Sequence, residues 1–155
     1  MSSYRFPKVI EPNVGESLFG FVKRLAIAYG WTNLGSFLSA LKVHNIHQIN
    51  WFVLSEVTER IVSNFAMSLQ LDENQLSKQL FEKDTYALLT LNHRQYGSHA
   101  IRKIRVCPEC VIEEASHQLS WQHVATGHCE KHHCELVSHC QYCKSPIQIE
   151  YGSKC

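Results

Sequence analysis

Three short stretches decide how this chain folds: Cys107-Pro108-Glu109-Cys110, Cys129-Glu130-Lys131-His132 and Cys140-Gln141-Tyr142-Cys143. Two C-x-x-C pairs bracket one C-x-x-H pair. A two-residue gap lets a tight turn aim both side chains of a pair at one ion. The eighteen residues between Cys110 and Cys129 suffice for an excursion that brings the second pair back to the first. Thiolate sulfur and neutral imidazole nitrogen at that spacing are the donors of a tetrahedral zinc site. Cys107, Cys110, Cys129 and His132 form the first predicted Zn2+ site. His133 could substitute, but His132 keeps the two-residue gap. Four protein ligands leave no position open for a substrate or an activated water, so the site is read as structural.

Cys140 and Cys143 begin a second site, with Cys155 as a third donor. A zinc ribbon wants a further cysteine about three positions beyond Cys155. The expectation is a second ribbon cut short at the end of the chain, the alternative being a three-cysteine site completed by His139, Cys134 or water. Around the knuckles, Leu119-Ser120-Trp121-Gln122-His123-Val124 alternates as a strand whose indole covers the metal module. His117, His123, His128 and His139 read as surface residues or as partners of ligands, since the first site is already filled.

All seven cysteines of the 155 residues lie after position 106, so the first two thirds must be held by apolar packing. This divides the chain into a helical domain, 1–100, and a zinc-ribbon domain, 101–155. The fold class is mainly α with a small zinc-ribbon β module. Seven cysteines, odd in number and closely paired with histidines, suit metal in a reducing compartment better than a disulfide scaffold. No apolar run approaches the roughly 20 residues of a membrane span, and Met1-Ser2-Ser3-Tyr4-Arg5 lacks a signal-peptide core. A soluble intracellular protein is expected. The net charge of +1 does not announce a nucleic-acid binder. No internal repeats or low-complexity tracts are apparent.

After an extended arm, Leu18, Phe21, Val22, Leu25, Ala26 and Tyr29 recur at helical spacing up to Gly30. Thr32 or Asn33 can cap a second helix that buries Leu34, Phe37, Leu38 and Leu41. Ser55 can cap a third with Val57, Ile61, Phe65 and Leu69 inside. Asp72 with Gln75 opens a fourth carrying Leu76 and Leu80. The last two resemble a helix-turn-helix. The fourth helix presents Asn74, Gln75, Lys78 and Gln79 beside Glu73 and Glu82, which is poor in the cations that phosphate contacts need and favours docking on protein or RNA. Leu88-Leu89-Thr90-Leu91 reads as a short strand or a last helical turn. Arg94, Arg102, Lys103 and Arg105 make the one concentrated basic segment and, with Lys78, are the candidate nucleic-acid contacts, a solvated linker being the plainer alternative.

Catalysis has little support. His128-Cys129-Glu130 matches the H-x-E of zinc deaminases, but there that element precedes the P-C-x-x-C, whereas here it follows, and Val106 stands in place of the proline. No H-E-x-x-H and no phosphate-cradling glycine loop occurs. Cys134 beside His133 lacks a third orienting group for a nucleophile.

The combination of Glu16-Ser17-Leu18 opening a helix with Arg24-Leu25-Ala26, then C-P-x-C, a tryptophan, C-x-x-H, a leucine and C-x-x-C resembles the TniQ family, which includes TnsD-like target selectors. The resemblance implies a helix-turn-helix domain followed by one or two zinc ribbons, and no enzyme. It implies a transposition adaptor, prokaryotic and cytoplasmic, that joins a target-recognition element to an AAA+ ATPase regulator. The target element is a guide-RNA-loaded CRISPR effector complex or attachment-site DNA, and the short chain favours the CRISPR-associated members. The oligomeric state stays open, a homodimer being one option. The resemblance carries Cys107, Cys110, Cys129 and His132 over as one zinc site and Cys140, Cys143 and Cys155 as part of another. Cys107→Ser or His132→Ala is expected to unfold the C-terminal module and spare the helices.

Overall fold

The computed structural model describes residues 9–43, 51, 56–81, 104–113, 116–123 and 125–147. Ser55, Leu88–Leu91, Arg94, Arg102, Lys103 and Cys155, each singled out from the sequence, lie outside them. Among the described residues, four helices precede the metal-binding half: α1 (Leu18–Ala28), α2 (Leu34–Ala40), α3 (Glu56–Leu69) and α4 (Glu73–Leu80). The caps follow local chemistry. The side chains of Ser17, Asn33 and Asp72 accept from the backbone N–H groups of Gly20, Ser36 and Gln75, satisfying donors that each helix start leaves open.

The ends of α1, α2 and α3 share one device. Trp31 N–H donates to Ala26 O, Val43 N–H to Leu38 O and Leu71 N–H to Ala66 O, each closing over a residue of positive φ: Gly30, Lys42 and Gln70. Glycine betrays only the first of these in the sequence. The three-residue link Gln70 to Asp72 turns the chain tightly from α3 into α4.

The expected apolar stripes face one another. Phe65 of α3 meets the rings of Phe21 and Phe37 at centroid distances of 6.2 Å each, and Leu25, Leu38, Ile61, Leu69, Leu76 and Leu80 are buried with them. Ile104 joins this core, while Val106 packs against both it and a second cluster made of Cys107, Cys110, Trp121, Cys129 and Leu136.

The metal-binding half contains α5 (Pro108–Ile112) and a 3-10 turn at Leu119–Gln122. That turn corrects the strand expected over Leu119–Val124 as far as His123, Val124 lying outside the described residues. Leu119 and Trp121 are buried as alternation demands, but Gln122 is buried too, because its amide donates to the Arg105 carbonyl at 3.1 Å. Three inward side chains in four residues fit a tight turn and not a two-faced strand. Elsewhere among the described residues, isolated antiparallel bridges stand in place of continuous strands: Glu16 with Gln118, Val106 with Val137, His128 with Glu135, and His139 with Pro146.

The first of those bridges seams the two halves together. Ser17 N–H donates to His117 O and Leu119 N–H to Gly15 O, both at 2.9 Å. Gly20 lets the strands of contact close, since a Cβ there would stand 2.8 Å from His117 O and 2.9 Å from His117 N. His117 is itself buried, which corrects its reading as a surface residue or a partner of a ligand. Its Nδ1 is hydrogen-bonded to Ser17 Oγ at 2.7 Å, and its ring meets Trp121 and Phe19 edge-on. Burial holds its pKa down to about 4, so the ring is neutral at ordinary pH. Among the described residues no helix is long and apolar enough to cross a membrane.

Candidate metal centre

Each predicted ligand of the first site is delivered by a turn. Cys107 is the N-cap of α5, with Pro108 in the first helical position, and its Sγ accepts from Cys110 N–H at 3.4 Å. That single turn aims Cys107 and Cys110 the same way. Cys129 and His132 lie on a hairpin tip whose flanks, His128 and Glu135, form a bridge. Within the tip Cys129 N–H donates to Cys134 O and His133 N–H to Cys129 O, with His133 at φ +52°. Trp121 and Leu136 pack around the sulfurs.

The donor atoms of Cys107, Cys110, Cys129 and His132 all lie within 4.8 Å of one another. His132 Nδ1 is 3.3 Å from Cys107 Sγ, 3.2 Å from Cys110 Sγ and 3.8 Å from Cys129 Sγ, and the Cys110 and Cys129 sulfurs are 3.7 Å apart. Zinc bonds of about 2.3 Å to sulfur and about 2.0 Å to nitrogen, at tetrahedral angles, separate two sulfurs by about 3.8 Å and sulfur from nitrogen by about 3.5 Å. The cluster can hold a metal ion, and its spacing and soft donors fit zinc.

Its electrostatics ask for a cation. Burial, reinforced by the Cys107 and Cys129 sulfurs, pushes the Cys110 thiol up to about 12. At Cys107 burial also acts upward, but hydrogen bonds from the Cys110 amide and from the thiols of Cys134, Cys129 and Cys110 outweigh it and bring the thiol below its ordinary value. Three thiols this close cannot all ionise unless positive charge sits between them.

One contributor was not foreseen. Glu113, at the C-cap of α5, places Oε1 3.2 Å from His132 Nε2 and pairs through Oε2 with Lys131. A carboxylate accepting from Nε2–H leaves Nδ1 free to face the sulfurs, and so fixes the ring's tautomer and orientation. The signal available in the sequence was only a carboxylate three residues after the second cysteine, too common to interpret. Glu113→Ala should weaken metal binding about 10-fold to 100-fold in a chelator competition. Glu113→Gln, which keeps an acceptor oxygen, should lose much less, and equal losses would refute the orienting role.

Cys140 and Cys143 repeat the architecture of the first hairpin eleven residues later. Cys140 N–H donates to Ser145 O, Lys144 N–H to Cys140 O, and Lys144 has φ +58°. The His139–Pro146 bridge and the Ile147 N–H bond to Ser138 O match the His128–Glu135 bridge and the Leu136 N–H bond to Gly127 O. The chain does contain an internal repeat, contrary to the reading from sequence. Only His-Cys recurs identically, so identity alone hides it, whereas hydrogen bonds and a left-handed fifth residue define it. Cys140 is half-buried and Cys143 exposed.

Of the candidate nucleic-acid contacts that are described, Lys78 is exposed in the last turn of α4. Arg105 turns inward, donating from Nη1 to Thr126 O at 2.9 Å and from Nη2 to His123 O. Burial holds it below the ordinary arginine value.

The TniQ family model matches residues 7–136. The chain belongs to the TniQ family. The matched span takes in the helices, the seam and all four ligands of the first site, and ends before Cys140. Membership implies a role in transposition target selection, in a family of non-catalytic adaptors. A comparison with curated proteins found no match.

Proposed function

We propose that this TniQ protein is a non-catalytic adaptor that joins a target-recognition element to an AAA+ transposition regulator, the element being a guide-RNA-loaded CRISPR effector complex or attachment-site DNA. Zinc at the first site is a scaffold in this reading. Cys140 and Cys143, preset in the same turn, supply half of a second site, to which Cys155 belongs. The observation that carries the adaptor reading is the engagement of Arg105 with the chain's own carbonyls, together with an α4 outer face of Asn74, Gln75 and Gln79 on which Lys78 is, among the described residues, the only cation. Such a surface suits docking on protein better than holding a phosphate backbone.

A second reading has one observation in its favour. The three-residue turn between α3 and α4, with Asp72 capping the second helix, supports reading the pair as a helix-turn-helix that contacts DNA directly, with Arg94, Arg102 and Lys103 as further phosphate contacts. Salt separates the two. An adaptor docked on an effector complex should co-purify with the ATPase and effector subunits of its system and bind random and cognate duplexes weakly and alike at two ionic strengths. Tight, sequence-selective duplex binding by the isolated chain, falling steeply with salt, would defeat docking on an effector complex and favour direct reading of DNA.

A further inference from the structure

The first metal site has a fourth sulfur close by that the ligand set does not use. Cys134 Sγ stands 3.3 Å from Cys107 Sγ, inside the about 3.8 Å that separates two sulfurs on one zinc ion. Yet Cys134 is not among the four donors that lie mutually within 4.8 Å. It therefore sits beside one vertex of the tetrahedron and not at a vertex. Cys107 is fully buried while Cys134 is half-buried, so the contact lies between the ligand and the surface. Its place is set by the hairpin, where the Cys129 N–H bond to Cys134 O at 2.9 Å fixes the backbone.

Chemistry decides the direction of the contact. A metal-bound thiolate has no hydrogen, so when Cys107 is a ligand the only hydrogen available to the pair belongs to Cys134. The tandem hairpin offers an independent comparison. The position of Cys134 is taken there by Ser145, whose hydroxyl can donate a hydrogen bond but is a poor partner for a soft metal site. The two hairpins share a donor at this position, and only one of them has a potential ligand.

We infer that Cys134 is not a zinc ligand but a hydrogen-bond donor to the Cys107 thiolate, shielding that sulfur from protons and electrophiles and setting how fast the site releases its metal. The full chain loaded with Zn2+ is compared as wild type, Cys134→Ala and Cys134→Ser, measuring zinc transfer to a chromogenic chelator. A Co2+-substituted sample of each gives the visible spectrum. Removing the donor in Cys134→Ala should speed transfer about fivefold, the equivalent of ~1 kcal/mol for one net hydrogen bond. Cys134→Ser, which restores a donor-capable side chain of the kind found at the equivalent Ser145, should return the rate to within about twofold of wild type by the same reasoning. The Co2+ spectrum should be unchanged in both. Loss of sulfur-to-cobalt charge-transfer intensity in Cys134→Ala would instead make Cys134 a ligand and overturn the inference. So would transfer rates equal to wild type in Cys134→Ala, or a serine variant as fast as the alanine one.

Discussion

Removing the metal, by chelation or by Cys107→Ser, should unfold residues 104–147 and release the start of α1 along with them. A structural zinc contributes apparent folding energy on the order of 10 kcal/mol, comparable to the whole stability of an ordinary domain. The sulfur cluster with Trp121 and Leu136 is too small to replace it. The loss does not stop at the module. Trp121 leans on His117, His117 is bonded to the Ser17 hydroxyl, and the His117 carbonyl accepts Ser17 N–H. Once 116–119 comes away, α1 loses that cover over its first turn, and Phe19 loses the edge contact with His117. The helices packed around Phe65 have no such dependence. Hydrogen exchange followed by mass spectrometry, with zinc content measured in parallel, should show protection collapsing over 104–147 and over the first turn of α1 while α3 and α4 keep theirs. Unchanged thermal unfolding after verified zinc loss would contradict the structural role. Loss of protection confined to residues after 104 would contradict the seam.

That seam marks where reading the chain by periodicity and spacing stops short. Helical stripes and caps were legible because each is a local pattern: Asn33 and Asp72 cap their helices through bonds within three residues, as Ser17, not singled out as a cap, also does. The clustering of Cys107, Cys110, Cys129 and His132 was legible for a similar reason, since a two-residue gap is already most of the geometry that a metal-binding turn needs. His117 was not. It looks like any histidine near a knuckle, and its partner Ser17 is a hundred residues away. Arg105 looked like a phosphate contact by charge alone, and nothing local foretells that two carbonyls 18 and 21 residues on would claim its guanidinium. The repeated hairpin failed for the opposite reason. Its information lies in backbone hydrogen bonds that very different residues can make, so Cys134 and Ser145, or His133 and Lys144, occupy equivalent places without resembling each other.

Glu16→Ala should destabilise the chain by about 2 to 3 kcal/mol, the second-largest loss expected from any change discussed, although Glu16 is not one of the candidate metal ligands. Its carboxylate is fully buried and accepts three hydrogen bonds: Arg24 Nε at 3.0 Å, Arg24 Nη2 at 2.7 Å and Asn13 N–H at 2.8 Å. The paired contact with Arg24 is the two-pronged form that suits a guanidinium best. Truncating Glu16 leaves that guanidinium facing an empty site and orphans the Asn13 amide. Arg24 keeps the Glu11 carbonyl at 2.7 Å and a place over the Phe21 ring, and its side chain remains 30% exposed. Solvent therefore softens the penalty to below the roughly 3 to 5 kcal/mol of a fully enclosed pair. Glu16→Gln keeps the shape and one acceptor oxygen and should cost about half as much. In denaturant unfolding of the zinc-loaded chain, the Glu16→Ala and Arg24→Ala changes should couple by more than about 1 kcal/mol in a double-mutant cycle. Coupling near zero would mean that solvent screens the pair, and the value of Glu16 would then reduce to capping the Asn13 amide. The pair's position gives this measurement a wider meaning. Glu16 and Arg24 open the two halves of the Glu16-Ser17-Leu18 and Arg24-Leu25-Ala26 signature, and the hydrogen bonds to His117 start at the residue after Glu16, Ser17. That signature is then an anchor that orients α1 towards the metal-binding half, and its loss should loosen the same first turn of α1 that metal removal releases.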